Sequence, residues 1–379
     1  MKVVFISNFI NHHQAPLADL LYSALNRDFY FIETSQMPQS MKLIGYPEFS
    51  SRSYVIHSWQ SIQEESFSYE VCESADVIIF STSYSGDYLR KCYRHGQICF
   101  EVGERWFKKG ILNMFSPRFL RWLYEYYCLY KNHEFYRLCS GAYVKYDVNL
   151  FGAYKDKCYK WGYFTRIDYL NQDSCFKNTS SGVIRIMWCA RFLGWKHPEL
   201  PIKLAHRLKN LGYSFVIDMF GSGEKMKEMK ALSKSLQVQE FVNFCGNRPN
   251  DEILDEMRKH DIFLFTSDKN EGWGAVLNEA MANGCAVIAS DEIGAAPFLI
   301  KDKSNGCLFK SRDLDDLEKQ VIYLIENPQE RQKISIEAYK TIKEQWSPQN
   351  AAKQLLSLIE AIKSNDVSLI PKSGPCSRA

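Results

Sequence analysis

No stretch of this chain supplies the roughly 18 uninterrupted apolar residues that a membrane-spanning helix requires, so no span is expected. Neither sign of charge dominates: 47 Lys and Arg against 44 Asp and Glu leave a formal +3, too little to argue for a nucleic-acid partner. Among 12 cysteines there is no Cys-x2-Cys pair, which leaves a zinc site or a disulfide framework without support. Cys189, Cys245 and Cys285 instead sit in apolar patterns, as free thiols do in reducing compartments. No Gly-x-Gly-x2-Gly follows the first apolar run, which argues against a dinucleotide-dependent dehydrogenase. The opening MKVVFISNFI carries one Lys and an apolar run too short for a signal peptide, and reads as a first buried strand. A cytoplasmic chain is the expectation. Asn178-Thr-Ser matches a glycosylation acceptor, but without a secretory signal it reads as a chance match.

What is present is an ordinary globular composition, 46% hydrophobic and 24% charged, over 379 residues. That length points to two domains, since single cores seldom grow past about 250–300 residues. In the first half, apolar runs at residues 3–7, 29–33, 77–81 and 97–102 alternate with helical patterns such as 17–25. Alternation of this kind signals a parallel sheet with crossover helices. The composition turns polar and small around residues 171–182, and the rhythm then restarts. Strands are expected at 183–189, 215–220, 241–244 and from Ile262, with helices at 198–211, 225–236 and 251–258. Ser347-Pro348 is a helix start, and Ala352, Leu355, Leu356, Ile359 and Ile362 mark one apolar face beyond it. The expected organisation is a Rossmann-like domain over 1–178, a second over 179–345, a helix over 346–365 and a disordered tail over 366–379.

The most informative stretch is Glu271-Gly-Trp-Gly-Ala-Val-Leu-Asn-Glu279. It lies between the apolar runs at 262–265 and 286–289, and so reads as strand, Gly-rich loop, helix, strand. Such a loop presents backbone N–H groups and a helix N-terminus to phosphate or sugar oxygens. Glu279, about two turns into the helix, is too far from Glu271 to pair with it, so each carboxylate can hold a different part of one elongated ligand. The Glu-x7-Glu spacing resembles that of the retaining glycosyltransferase family 4, enzymes of the GT-B fold, which often have Phe where Trp273 stands. The resemblance covers residues 183–345 well and the first half loosely. It implies two Rossmann-like α/β/α domains facing a cleft, with a final helix crossing back to the first.

The resemblance also assigns roles. Arg191 and Lys196 look like the family's Arg-x4-Lys grip on the donor diphosphate, and cations suit the charge that grows on such a leaving group. Glu271 would contact sugar hydroxyls, the backbone N–H groups of Gly272, Trp273, Gly274 and Ala275 would hold sugar and phosphate, and Glu279 would accept from the ribose hydroxyls. Gly221 permits close approach of a ligand, and Gly246, Asn247 and Arg248 resemble the loop that holds the nucleobase. No metal or cofactor is expected: Asp313 and Asp315 approach an Asp-x-Asp pattern, but Asp-Leu-Asp-Asp opens a charged helix. On the acceptor side, His12 and His13 follow the first strand, in a loop where many family members have glycines. His12 is the catalytic candidate there, with His13, Glu104 and Arg105 as acceptor residues.

Residues 105–145 interleave Arg105, Lys108, Lys109, Arg118, Arg121, Lys131, Arg137 and Lys145 with many aromatics. Such a segment can lie in a membrane interface and attract anionic lipid, or can pack its aromatics inward and solvate its cations. The expectation is a retaining, metal-independent glycosyltransferase that moves a sugar from a UDP- or GDP-sugar to a lipid-linked glycan acceptor. It would serve surface polysaccharide synthesis at the inner face of the plasma membrane. A nucleotide-sugar epimerase of the same fold, or a non-catalytic glycan- or nucleotide-binding protein, is the alternative.

Overall fold

The computed structural model describes residues 1–39, 41, 48–81, 86–167 and 182–379. The domain boundary expected at 178/179 and the Asn178 pattern lie outside them. The chain forms two compact units, one of Met1–Arg166 with Gln345–Ala379 and one of Ile167–Glu344. Among the described residues no helix is long and apolar enough to cross a membrane.

In the first unit seven parallel strands are β1 (Val3–Ser7), β2 (Phe29–Glu33), β3 (Val55–His57), β4 (Val77–Ser81), β5 (Ile98–Gly103), β6 (Phe135–Ser140) and β7 (Cys158–Trp161). Their order is β3-β2-β1-β4-β5-β6-β7. The apolar runs of β1 and β4 are buried almost throughout, as strands covered on both faces must be. Because β1 leads outward to β2 while its neighbour β4 leads the other way to β5, a crevice opens beyond the carboxyl ends of β1 and β4. The Pro348–Ser364 helix, capped by Ser347 through the Asn350 N–H, packs on the Ala15–Ala24 helix of this unit.

The second unit repeats the plan with β8 (Ile184–Cys189), β9 (Phe215–Phe220), β10 (Val242–Gly246), β11 (Ile262–Phe265), β12 (Ala286–Ser290) and β13 (Cys307–Phe309). The order β10-β9-β8-β11-β12-β13 puts its switch point between β8 and β11. Asp313 caps the Leu314–Glu326 helix by accepting from the N–H groups of Asp315 and Asp316, the helix start expected for this acidic run.

Three corrections arise. Strands β3, β6, β7 and β13 were absent from the sequence reading; β6 falls inside the basic segment at 105–145. Arg137 interrupts its apolar pattern, yet that side chain is wholly buried and paired at 2.8 Å with buried Glu101, its register partner on β5. Glu101 also accepts from Trp122 Nε1 (2.9 Å) and the Tyr154 hydroxyl (2.7 Å), so this cation belongs to a polar knot within the unit. The tail over 366–379, expected to be disordered from its Pro, Ser and Gly, is ordered. Edge strand β7 presents unpaired backbone groups, and the tail satisfies them: Lys160 donates to the Ser377 carbonyl (2.8 Å) and Cys376 donates to that of Lys160 (2.7 Å). Cys376 is buried as a result.

The aromatic segment also divides. Phe107, Phe119, Trp122, Tyr126 and Tyr130 enter the core, whereas Ile111, Leu112, Phe115, Leu120 and Tyr124 are at least half exposed.

Candidate active site

The topology of the second unit brings the two motif loops together, because Arg191 and Lys196 follow β8 and Glu271 follows its neighbour β11. The Lys196 ammonium is ion-paired with the Glu271 carboxylate, each side chain only about a tenth exposed. Burial holds the Lys196 ammonium below its ordinary pKa, against the pull of Glu271, and Arg191 pushes the same way as burial. Arg191 is exposed, with no hydrogen-bond or ion-pair partner among the described residues, and so is open to an anion.

The loops are stitched to each other through residues the sequence reading did not single out. Asp268 donates its N–H to the Trp195 carbonyl (3.0 Å), and Glu271 donates to the Asp268 carbonyl (2.9 Å). His197 bridges Glu199 (2.8 Å) and Asp268 (3.2 Å), and Arg312 reaches the same Asp268 oxygen at 2.5 Å. Burial opposes the charged form of His197, but its two carboxylate partners outweigh it and raise the pKa. A His directly after Lys196 and an Asp three residues before Glu271 were the available signals; neither forms a motif alone.

Gly274, at φ +90°, turns the chain into the Ala275–Ala282 helix, and a Cβ there would meet the Phe265 ring at 2.6 Å. The first N–H groups of that helix have no partner within it and offer an anion seat. Trp273 serves the loop differently: its indole is fully buried and donates to Asn278 Oδ1 (2.8 Å), so only its backbone is available to a ligand. Glu279 is buried, accepts weakly from Asn250 (3.3 Å), and burial pushes its carboxyl up to about 7. Gly221 donates to the Gly246 carbonyl (2.8 Å), which joins the β9 and β10 loops. Asn247 bonds Ser222 (2.9 Å), and exposed Arg248 lies 3.6 Å from Glu252.

In the first unit His12 and His13 follow β1 with ring centroids 3.7 Å apart, and His13 stacks on Tyr163. Burial lowers His12 to about 4 and His13 well below its ordinary value, so both are neutral near pH 7. Glu104 pairs with Lys108 and accepts from the Tyr163 hydroxyl (2.8 Å). Arg105 is turned to buried Asp147 at 3.3 Å. Glu104 and Arg105 line a cavity of about 550 Å³ at the ends of β1, β4, β5 and β6; Lys109 and Arg118 also line it, and neither was a sequence candidate for a site.

Residues 176–341 match the family Glycosyl transferases group 1. An uncharacterized glycosyltransferase of Methanocaldococcus jannaschii is 26% identical over 198 residues, 52% of this chain and 50% of that protein. The amylovoran biosynthesis glycosyltransferase of Erwinia amylovora is 26% identical over 184 residues, 47% of this chain and 45% of that one. The chain thus spans about half the length of these curated relatives. The crystal structure of Anabaena HepE in complex with UDP superposes with a TM-score of 0.71 at 15% identity, covering 96% of this chain and 100% of that one. That likeness shows the fold: two parallel-sheet, Rossmann-like units of the GT-B class.

Proposed function

From a chain whose residues 176–341 match the family Glycosyl transferases group 1, we propose a glycosyltransferase that takes its sugar from a nucleotide diphosphate donor. The observation that carries this reading is the meeting of Lys196 and Glu271 beside Arg191 at the β8/β11 switch point. Arg191 and Lys196 bind the donor diphosphate and stabilise the negative charge that grows as it departs. Lys196 is held for that task by Glu271 in the absence of donor; with donor present Glu271 turns its oxygens to the sugar hydroxyls. Glu279, ionised above about pH 7, accepts from the ribose hydroxyls. The first-turn N–H groups after Gly274 hold phosphate oxygens. A neighbour of the same fold crystallised with UDP supports UDP as the first nucleotide to try.

Transfer proceeds with retention and without a metal in this reading, as in glycosyltransferase family 4: the departing phosphate oxygen takes the acceptor proton, and the two cations stand where a divalent ion would otherwise stabilise it. The acceptor is a glycan, lipid-linked and destined for surface polysaccharide, a kind of product consistent with the name of the amylovoran relative. His12, kept neutral by burial, is the catalytic candidate in the first unit. Exposed Ile111, Leu112, Phe115 and Leu120 beside Arg118 and Arg121 support contact with the inner membrane face.

The test is a panel of UDP-, GDP- and ADP-sugars, scored by donor hydrolysis and thermal stabilisation in EDTA and in Mg²⁺. Stabilisation by one nucleotide class that persists in EDTA and disappears in Arg191→Ala is the expected result. No response to any nucleotide, with or without lipid vesicles, would remove the transferase reading.

A further inference from the structure

The family match falls within residues 176–341, so the chemistry of the acceptor has to be read from the first unit's own residues. We infer that the cavity at the ends of β1, β4, β5 and β6 is a subsite for an uncharged sugar ring of the acceptor, with Ser140, Trp106 and Gln14 as the residues that read its hydroxyls. This rests on the transferase reading and specifies the acceptor.

Three residues that line the cavity each hold a buried polar atom with no hydrogen-bond partner among the described residues. They are the Ser140 hydroxyl, the Trp106 indole N–H and the Gln14 side-chain carbonyl. Each comes from a different place in the chain. Ser140 ends β6 and is fully buried, Trp106 lies in the turn after β5, and Gln14 stands immediately before the Ala15–Ala24 helix. Ser7 orients the Gln14 amide: its hydroxyl donates to Asn8 Oδ1 (3.1 Å), so its oxygen accepts from Gln14 Nε2 (3.4 Å) and Oε1 is the unanswered end. Buried polar atoms are rarely left without a partner, and three around one cavity are answered together by a ligand.

The ligand has to donate as well as accept. The Trp106 N–H can only donate, Gln14 Oε1 can only accept, and the Ser140 hydroxyl can do both. Sugar hydroxyls do both too, whereas an ionised phosphate or carboxylate only accepts and would leave Gln14 unanswered. The charged groups of the wall are largely engaged within the unit. Glu104 pairs with Lys108 and accepts from the Tyr163 hydroxyl (2.8 Å), Arg105 is turned to Asp147 (3.3 Å), and the Arg118 guanidinium lies 5.4 Å from the Trp106 ring centroid. Apolar lining comes from Phe5 and Val102, a mixture of apolar surface and a few placed polar groups that suits the C–H faces and hydroxyls of a pyranose. The cavity, about 550 Å³, opens where β1 and β4 lead to opposite sides, the place in an open parallel sheet where ligands bind.

The experiment is saturation-transfer NMR titration of the full chain with the methyl glycosides of glucose, galactose, mannose and N-acetylglucosamine. Methyl glucuronide and inorganic phosphate are the anionic controls. At least one neutral glycoside should bind, and Ser140→Ala, Trp106→Phe and Gln14→Met should each weaken it about two- to tenfold, the loss of one hydrogen bond. Melting without ligand gives a readout that a structural role would move the other way. With no partner to lose, Ser140→Ala should melt at or above the wild-type temperature. A drop of several degrees would mean that the fold itself uses this hydroxyl, and overturns the assignment. So does a panel in which no neutral glycoside binds, or in which Ser140→Ala leaves the binding unchanged. Phosphate or glucuronide bound in preference to every neutral glycoside makes the cavity an anion site and also overturns it. A chain that binds a glycoside through Ser140 yet answers no nucleotide in the donor panel keeps the sugar subsite and loses the transferase, so the two readings fail separately.

Discussion

Gly221 opens the loop after β9 in the second unit, and replacing it with Ala tests how that loop is held against the one after β8. Its φ is +123°, and an ideal Cβ would stand 2.0 Å from the Ala190 carbonyl oxygen and 2.9 Å from its carbon. Both are backbone atoms, so no side chain can swing aside; the β8 loop carrying Arg191 must move. The backbone conformation alone costs an L-residue about 1–2 kcal/mol, and displacing packed neighbours typically adds about 1–3. A total near 3 kcal/mol corresponds to a drop of about 6–12 °C in the melting of a domain this size. Gly246 supplies the control. It too has positive φ, +70°, but nothing lies within 4 Å of its Cβ position. Gly246→Ala therefore carries only the conformational strain, about 1–2 kcal/mol, and should lower melting by about 2–8 °C. Differential scanning calorimetry reads both, and nucleotide binding should weaken about tenfold in Gly221→Ala alone, because only there is Arg191 displaced. If the two variants melt together, or Gly246→Ala is the worse, the β8 loop is not held by close backbone approach and the account of Arg191's placement fails.

Glu279→Gln should stabilise the protein by about 3 kcal/mol above pH 7 and make no difference near pH 4. The native carboxyl keeps its proton up to about pH 7 while the unfolded one has lost it, so wild-type stability falls with rising pH across that window; chemical denaturation at a series of pH values checks it. His197→Gly keeps access to the left-handed backbone at φ +50° but removes the bridge between Glu199 and Asp268. The folded His pKa is raised, so the wild-type advantage in melting should be full below about pH 6.5 and fade as pH climbs through that raised value. Glu271→Gln, tested on the donor that the panel identifies, should bind the nucleotide within a few fold of wild type and lose turnover about a hundredfold or more. Arg137→Met leaves the Glu101 carboxylate buried without its cation and should cost about 3–5 kcal/mol; urea denaturation showing under 1 kcal/mol would mean that Trp122 and Tyr154 satisfy it alone.

The parts of the fold legible in the sequence are those where one physical demand dominated a run of residues. Val3–Ser7, Val77–Ser81 and Ile262–Phe265 are apolar almost without interruption because sheets covered on both faces leave no polar position. β6 was illegible for the converse reason: Arg137 is fully buried, and only its pairing with Glu101 on a neighbouring strand makes that tolerable. A partner 36 residues away in the chain leaves no local trace. The tail failed similarly, since its order comes from the free edge of β7, a tertiary fact that its Pro, Ser and Gly do not announce.

The same distinction separates the two candidate sites. A diphosphate next to a sugar makes a fixed set of demands, cations on one side and hydroxyl acceptors on the other. Strands β8 and β11, adjacent across a switch point, bring together two loops whose internal spacings, Arg191 to Lys196 and Glu271 to Glu279, can be read along the chain. The first-unit cavity has no such regularity. Its wall combines the end of β5, the turn after it, a helix flank at Arg118 and the floor of β6 at Ser140, four places that only the sheet order brings together. Charge counting along residues 105–145 found the right segment but weighted its cations equally. The structure divides them by partner: Arg137 is spent on Glu101, Arg105 on Asp147 and Lys108 on Glu104, while Lys109 stands exposed and Arg118 rests on Trp106. It is the charge left after internal pairing, rather than the charge counted in sequence, that can select a ligand.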